Sequence, residues 1–181
     1  MRELSLHILD LVENAIRAGA TVISIAVEEE PARDTLSISV DDNGPGLPVT
    51  AEEAADPFFT TKGGKKTGLG LSMMKFRAEQ TGGRFLLEGS RLGGVAVKAS
   101  MPLSSVDRSP LGDLAATLAS VVATNPDVDV RSLLRVDGRE WIVSSADIAR
   151  RLPIGARSDI VVAREVRERI SEGLSVLHMT E

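Results

Sequence analysis

Two glycines one residue apart, in Thr67-Gly68-Leu69-Gly70-Leu71, follow Lys62, Lys65 and Lys66 and open the apolar stretch 71–76. At a helix start, glycines let backbone N–H groups close on an anion, and the helix dipole adds to the attraction. That is the chemistry of a phosphate site. Loops also use Gly-x-Gly simply to turn, so the pattern gains weight only from company.

The company lies upstream. His7, Asp10, Asn14 and Arg17 follow one another at steps of three, four and three, which lines them up along one side of a helix. Polar groups in a stripe on a mostly apolar helix must find hydrogen-bond partners. They form either a satisfied core network or solvated edge, or the wall of a ligand cavity. In the second case Asp10 and Asn14, one turn apart, would offer oxygens to a hard cation such as Mg²⁺. Farther on stands Asp41-Asp42-Asn43-Gly44-Pro45-Gly46. It reads as an ordinary turn, or as a carboxylate able to accept from an exocyclic amine beside glycines that let backbone approach a ring.

These residues need elements to hold them. Residues 3–18 predict a helix with Leu4, Ile8, Leu11, Ala15 and Ala18 on one face. Leu6, Leu9 and Ile16 lie on its other sides, so the helix should be largely buried and end at Gly19. Residues 22–28 and 35–41 alternate apolar and polar, predicting antiparallel strands joined by a charged turn around Pro31 and Asp34. After the glycine turn, residues 71–80 continue as a helix closed by Thr81-Gly82-Gly83. Residues 84–88 and 94–101 then pair as a hairpin around the turn 90–93.

Taken together, the chain resembles the GHKL superfamily of ATP-binding proteins, which includes gyrase, heat-shock chaperones, histidine kinases and mismatch-repair ATPases. Its N box looks like Asp10-Leu11-Val12-Glu13-Asn14-Ala15-Ile16-Arg17, and its first glycine box like Asp42-Asn43-Gly44-Pro45-Gly46. The second glycine box resembles Lys66-Thr67-Gly68-Leu69-Gly70-Leu71, and Asp56-Pro57-Phe58-Phe59-Thr60-Thr61-Lys62 is similar to the F box of histidine kinases. The resemblance spans about residues 4–102. It implies an α+β fold, a two-layer α/β sandwich of the GHKL type with a mixed sheet, binding ATP with Mg²⁺.

By position, the resemblance implies that Asp42 accepts from the adenine amino group, with Gly44 and Gly46 beside the ring. Asn14 would bind Mg²⁺ with Asp10 near it, and Arg17 would lie by the phosphates. Thr67, Gly68, Leu69 and Gly70 would hold the phosphate chain, and Lys62 would belong to a mobile lid. The family divides over chemistry. An acid four positions before the N-box Asn serves as general base in the chaperone, gyrase and mismatch-repair branches, and here that place holds Asp10. The stretch 11–21 also has a mismatch-repair flavour, whereas the F box and compact second glycine box follow the histidine-kinase pattern and weigh more. The resemblance therefore implies phosphotransfer to an acceptor on a separate partner; the alternatives are an ATP-gated switch with slow hydrolysis and a non-catalytic nucleotide-binding subunit. Neither His7 nor His178 is followed by the acid and Pro usual around a phosphoacceptor.

Composition narrows the field further. With 43% apolar residues, the 181-residue chain can bury a sizeable core, and without cysteine it has neither disulfides nor thiolate metal sites. A net charge of −5 gives no footprint for nucleic acid. No apolar run approaches the roughly 18 residues of a membrane span, and Met1-Arg2-Glu3 opens no secretory signal, so a cytoplasmic protein is expected. With one Trp, four Phe and no Tyr, aliphatic side chains must supply the core.

Beyond residue 102 the character changes. Residues 103–181 hold no lysine, and 103–110 reads as a linker between the ATP-binding domain 1–102 and a small α+β appendage, 111–181, of no recognised family. A helix is predicted over 111–123. Strands 130–136 and 140–143 flank the hairpin signal Asp137-Gly138. Ser145 and Ser158 are candidate caps for helices 146–152 and 159–170, and the Arg/Glu run 164–172 reads as a solvated face.

Overall fold

The computed structural model of the chain describes residues 3–47 and 69–179. Helix α1 (Leu4–Arg17) leads into β1 (Val22–Glu30), a 3₁₀ turn (Pro31–Arg33) and β2 (Thr35–Asp42). Helix α2 (Leu69–Gln80) is followed by the hairpin β3 (Arg84–Gly89) and β4 (Val95–Pro102). Then come α3 (Leu114–Thr124), β5 (Asp129–Val136), β6 (Arg139–Ser144), α4 (Ser145–Arg151) and α5 (Asp159–Leu177).

The six strands form one mixed sheet in the order β3-β4-β2-β1-β5-β6. Neighbours are antiparallel except β1 and β5, which run parallel with Ile23 beside Val130. Alternation divides the two faces. Ile23, Ile25, Val27, Leu36, Ile38, Val40, Val97, Ala99 and Leu134 are buried and meet the apolar faces of α1, α2, α3 and α5. The intervening residues, among them Ser24, Ser37, Ser39, Lys98 and Arg135, form the more open face. This is the expected two-layer sandwich with aliphatic packing. The second unit shares the first one's sheet: β5 extends it past β1, and a single hydrophobic core runs from Leu4 to Met179.

Local chemistry explains where elements start later or run longer than their patterns suggest. Helix α3 begins at Leu114 because Gly112 takes φ +74° and Asp113 caps the helix, accepting from the Ala116 N–H at 2.8 Å. Ser144, not Ser145, caps α4, accepting from the Asp147 N–H at 3.1 Å. Ser145 Oγ instead accepts from the Val130 N–H at 2.9 Å. Ser158 does cap α5, and that helix continues to Leu177 because Gly173 leaves room for the Trp141 ring, whose Cδ1 would lie 2.4 Å from any Cβ there. Ala18 is exposed at the end of α1, past the last core-facing turn. The Arg/Glu run is a solvated face laced by Arg169–Glu165 at 3.0 Å, and Arg167 reaches Asp113 at 3.8 Å.

Asp129 ties β5 to α4. Its carboxylate accepts from the Arg131 Nε at 2.6 Å, the Ser144 hydroxyl at 2.9 Å and the Ala146 N–H at 3.1 Å. Burial alone would raise its pKa, but the Arg131, Ala146 and Ser144 hydrogen bonds outweigh burial and hold it below the ordinary carboxylate value. Because the folded-state pKa is depressed, its stabilisation is complete above the unfolded value of about 3.9. It is lost as pH falls through the lower folded value. Asp129→Asn is therefore expected to cost about 1–2 kcal/mol at pH 7. Denaturant melts at pH 7 and pH 3 should show the difference from wild type shrinking in acid.

Candidate functional site

Burial of Leu4, Ile8, Leu11, Val12 and Ala15 fixes the rotation of α1. That rotation brings Asp10 and Asn14 to the rim, both half-buried, while His7 points into the core at 0% exposure. Arg17, one turn beyond Asn14, donates to the Asn14 Oδ1, and Glu13 lies 4.0 Å from its guanidinium. The start of α2 closes on this stripe. A Cβ on Gly70 would lie 3.0 Å from the Asp10 Cβ and 3.3 Å from the Asn14 Nδ2, so glycine lets the first turn of α2 lie against α1. The positive end of the α2 dipole thereby comes to the two polar residues.

A second predicted residue sits at the end of β2. Its inward positions run Leu36, Ile38, Val40 and then Asp42, so a carboxylate takes the fourth place in an aliphatic row and is only 7% exposed. Asp42 Oδ1 accepts from the Gly44 N–H at 2.8 Å and the Val95 N–H at 3.3 Å. Both of these bonds fall on the one oxygen, Oδ1. Asn43 staples the neighbouring turn: its Oδ1 accepts from the Thr21 and Val22 N–H groups at 2.8 and 2.9 Å, and its Nδ2 donates to Thr21 Oγ1 at 3.0 Å. Gly46 adopts φ +83°, which favours glycine.

Gly94 escaped the sequence reading, which ended a turn at residue 93. Its N–H donates to the Asp42 carbonyl at 3.0 Å, and a Cβ there would lie 2.0 Å from Asp42 Oδ1. The only trace in the sequence is a doubled glycine, Gly93-Gly94, where the turn itself requires the left-handed conformation only of Gly93, at φ +110°. Gly94 is glycine for space rather than for torsion.

The structure thus groups Asp10, Asn14, Arg17 and Gly70, and separately Asp42 with Gly44. Lys62, Thr67, Gly68 and the F-box stretch 56–62 lie outside the described residues. Among the described residues no three His, Cys, Asp or Glu side chains converge as a metal site. A cation here would take its oxygens from Asn14, water and phosphate, which is how Mg²⁺ is commonly held beside nucleotides. A separate cavity of about 400 Å³ opens beyond Thr21, walled by Val122, Val128, Asp129, Ala149 and Val162.

A polar stripe on a buried helix meets a glycine-opened helix start, and a buried carboxylate ends a strand of the same two-layer α/β sandwich. The model of the histidine kinase-, DNA gyrase B- and HSP90-like ATPase family matches residues 2–105, and the chain belongs to that family. It is similar to the sensor protein kinase FleS of Pseudomonas aeruginosa, 46% identical over 56 residues, covering 30% of this chain and 14% of FleS. It is also similar to the sensor histidine kinase CpxA of Escherichia coli, 33% identical over 100 residues, covering 52% of this chain and 21% of CpxA. The chain thus spans about a fifth or less of the length of these relatives. Among solved structures, the N-terminal domain of a DNA repair protein superposes with a TM-score of 0.51 at 14% identity, covering 80% of this chain and 53% of that one. That likeness speaks for the fold alone. The nucleotide-binding unit is akin to histidine kinase catalytic domains and supports ATP binding. Among the described residues no helix is long and apolar enough to cross a membrane.

Proposed function

We propose that this chain binds Mg²⁺-ATP and donates the γ-phosphoryl group to an acceptor on a separate protein, in the manner of a histidine kinase catalytic domain. The observation that carries the reading is the meeting of Asp10 and Asn14, the latter bonded by Arg17, with the glycine start of α2, together with the buried Asp42 at the end of β2. Asp42 would take the adenine amino group on its second carboxylate oxygen. Asn14 would give its amide oxygen to Mg²⁺, and Arg17, already touching it, would serve the phosphates. Mg²⁺ would supply neutralisation of the phosphate charge that phosphoryl transfer needs. Gly44 and Gly46 would admit the ring, Thr67 to Gly70 would hold the phosphate chain, and Lys62 would belong to a lid.

An acceptor elsewhere suits the two histidines of the described chain. His7 is fully buried within α1, and His178 caps α5 in the left-handed conformation at φ 55°. A cytoplasmic setting, where ATP and such partners meet, fits this role.

One observation favours a second reading. Asp10 lies one turn before Asn14, where an acid could serve as general base for water, so the chain would be an ATP-gated switch with slow hydrolysis. Incubation with [γ-³²P]ATP and Mg²⁺, alone and with candidate partner proteins, separates the two. The kinase reading expects little phosphate release alone and label on the partner. Steady hydrolysis that Asp10→Asn reduces by on the order of 100-fold, with nucleotide binding retained, would replace the kinase by the switch.

A further inference from the structure

Helix α1 carries the stripe Asp10, Asn14 and Arg17, yet its own start is poorly equipped. Glu3 makes no side-chain cap, and no acid stands in the first turn. The first N–H groups of any helix lack partners inside it, and here they are buried: Leu4 and Ser5 are 0% and 1% exposed. Their acceptors come from the far side of β4. The Leu4 N–H donates to the Pro110 carbonyl at 2.9 Å, and the Ser5 N–H to the Leu111 carbonyl at 2.8 Å. The stretch read as a linker is therefore a backbone cap on the helix that carries the nucleotide site.

Gly112 seats this strap. Its φ of +74° turns the chain, and a Cβ there would lie 2.2 Å from the Glu3 Oε2 and 2.7 Å from the Glu3 Cβ. The next residue, Asp113, caps α3 and faces Arg167 of α5 at 3.8 Å, so the strap is continuous with the C-terminal layer. The entry to β1, four residues past α1, is bound by a later part of the chain. The Asp129 N–H donates to the Thr21 carbonyl at 2.9 Å, and the Thr21 N–H donates to Asn43 of the first glycine box at 2.8 Å. Residues beyond 102 thus cap the start of α1 and, through Thr21, reach the turn that follows Asp42.

We infer that residues 110–112 are positioning residues for the nucleotide site, setting how α1 presents Asn14 and Asp10 and so tuning Mg²⁺-dependent nucleotide affinity from the C-terminal layer. This rests on the nucleotide-binding reading above. It also makes the C-terminal layer part of the ATP site's support.

The test uses the full 181-residue chain and titrates a non-hydrolysable ATP analogue with and without Mg²⁺. Gly112→Ala drives a Cβ into Glu3, and Ser5→Pro removes the N–H given to Leu111 while remaining compatible with a first helical turn. Each is expected to weaken binding by about tenfold or more and to reduce the enhancement by Mg²⁺, in the range of lost second-layer support for a metal ligand. Fluorescence of the single tryptophan, Trp141, should stay native. The double variant Glu3→Gly/Gly112→Ala removes the clash, leaving the strain of alanine at φ +74°, and should recover part of the Mg²⁺ enhancement. Wild-type affinity in both single variants overturns the inference, as does an affinity loss that is equal with and without Mg²⁺. Should Gly112→Ala lose the native Trp141 signal, Ser5→Pro alone decides by the same readout. A wild-type chain that binds no nucleotide would defeat the functional reading itself, a result distinct from either.

Discussion

Asn14→Ala is expected to weaken Mg²⁺-dependent nucleotide binding tenfold to a hundredfold while leaving the fold intact. The magnitude is that of a lost polar contact to a charged group, about 1.5–3 kcal/mol. The fold should not suffer, because Asn14 is half-buried and its side-chain oxygen accepts from the neighbouring Arg17 at the surface. Alanine is the better helix former, which offsets the lost surface hydrogen bond, and stability should stay within about 0.5 kcal/mol of wild type. Titration calorimetry with and without Mg²⁺, beside a thermal melt, checks both halves. Asn14→Asp keeps an oxygen at the same reach and should retain metal-dependent binding. Equal affinity in Asn14→Ala and wild type would take Asn14 out of the metal site.

The parts legible in the sequence were those where a local pattern has one structural solution. The spacing of Leu4, Ile8 and Leu11 can bury one face only as a helix, and that alone turns Asp10 and Asn14 to the rim. Asp137-Gly138 takes positive φ at both positions, 49° and 78°, as its hairpin turn demands. Neighbours across the fold were not legible. Alternation in Asp129–Val136 marks a strand but cannot say that it lies parallel to β1, because partner choice depends on packing of both faces. Ser144 and Ser145 are equally good caps in isolation, and the sheet decides between them by drawing Ser145 onto the Val130 N–H. Residues 103–110 look like a linker because Ser, Pro and charge are what linkers contain. Yet the carbonyl of Pro110 is a backbone group, present whatever the composition, and it is this group that caps α1.

Gly94→Ala should damage the site more than any other single-methyl addition to the hairpin. The added Cβ would stand 2.0 Å from Asp42 Oδ1, 2.5 Å from the Gly44 nitrogen and 2.7 Å from the Asp42 carbonyl oxygen. Two of these three are backbone atoms, so a side-chain rotation cannot relieve the crowding. Either β4 withdraws, breaking the Val95 N–H bond to the carboxylate, or the Asp42-Gly44 turn is pushed out of its place. Overpacking of this kind costs about 1–3 kcal/mol of stability. If Asp42 receives the base as proposed, displacing its carboxylate should cost about 1.5–3 kcal/mol of binding, on the order of tenfold to a hundredfold in nucleotide affinity. Gly93→Ala is the control one residue away. Nothing lies within 4 Å of its Cβ, and only its φ of +110° resists the change. It should therefore lose about 1–2 kcal/mol of stability through backbone strain, with affinity for the ATP analogue preserved. If the two variants lose affinity equally, the damage comes from the hairpin turn as a whole, and Asp42 is not the point at which β4 touches the site.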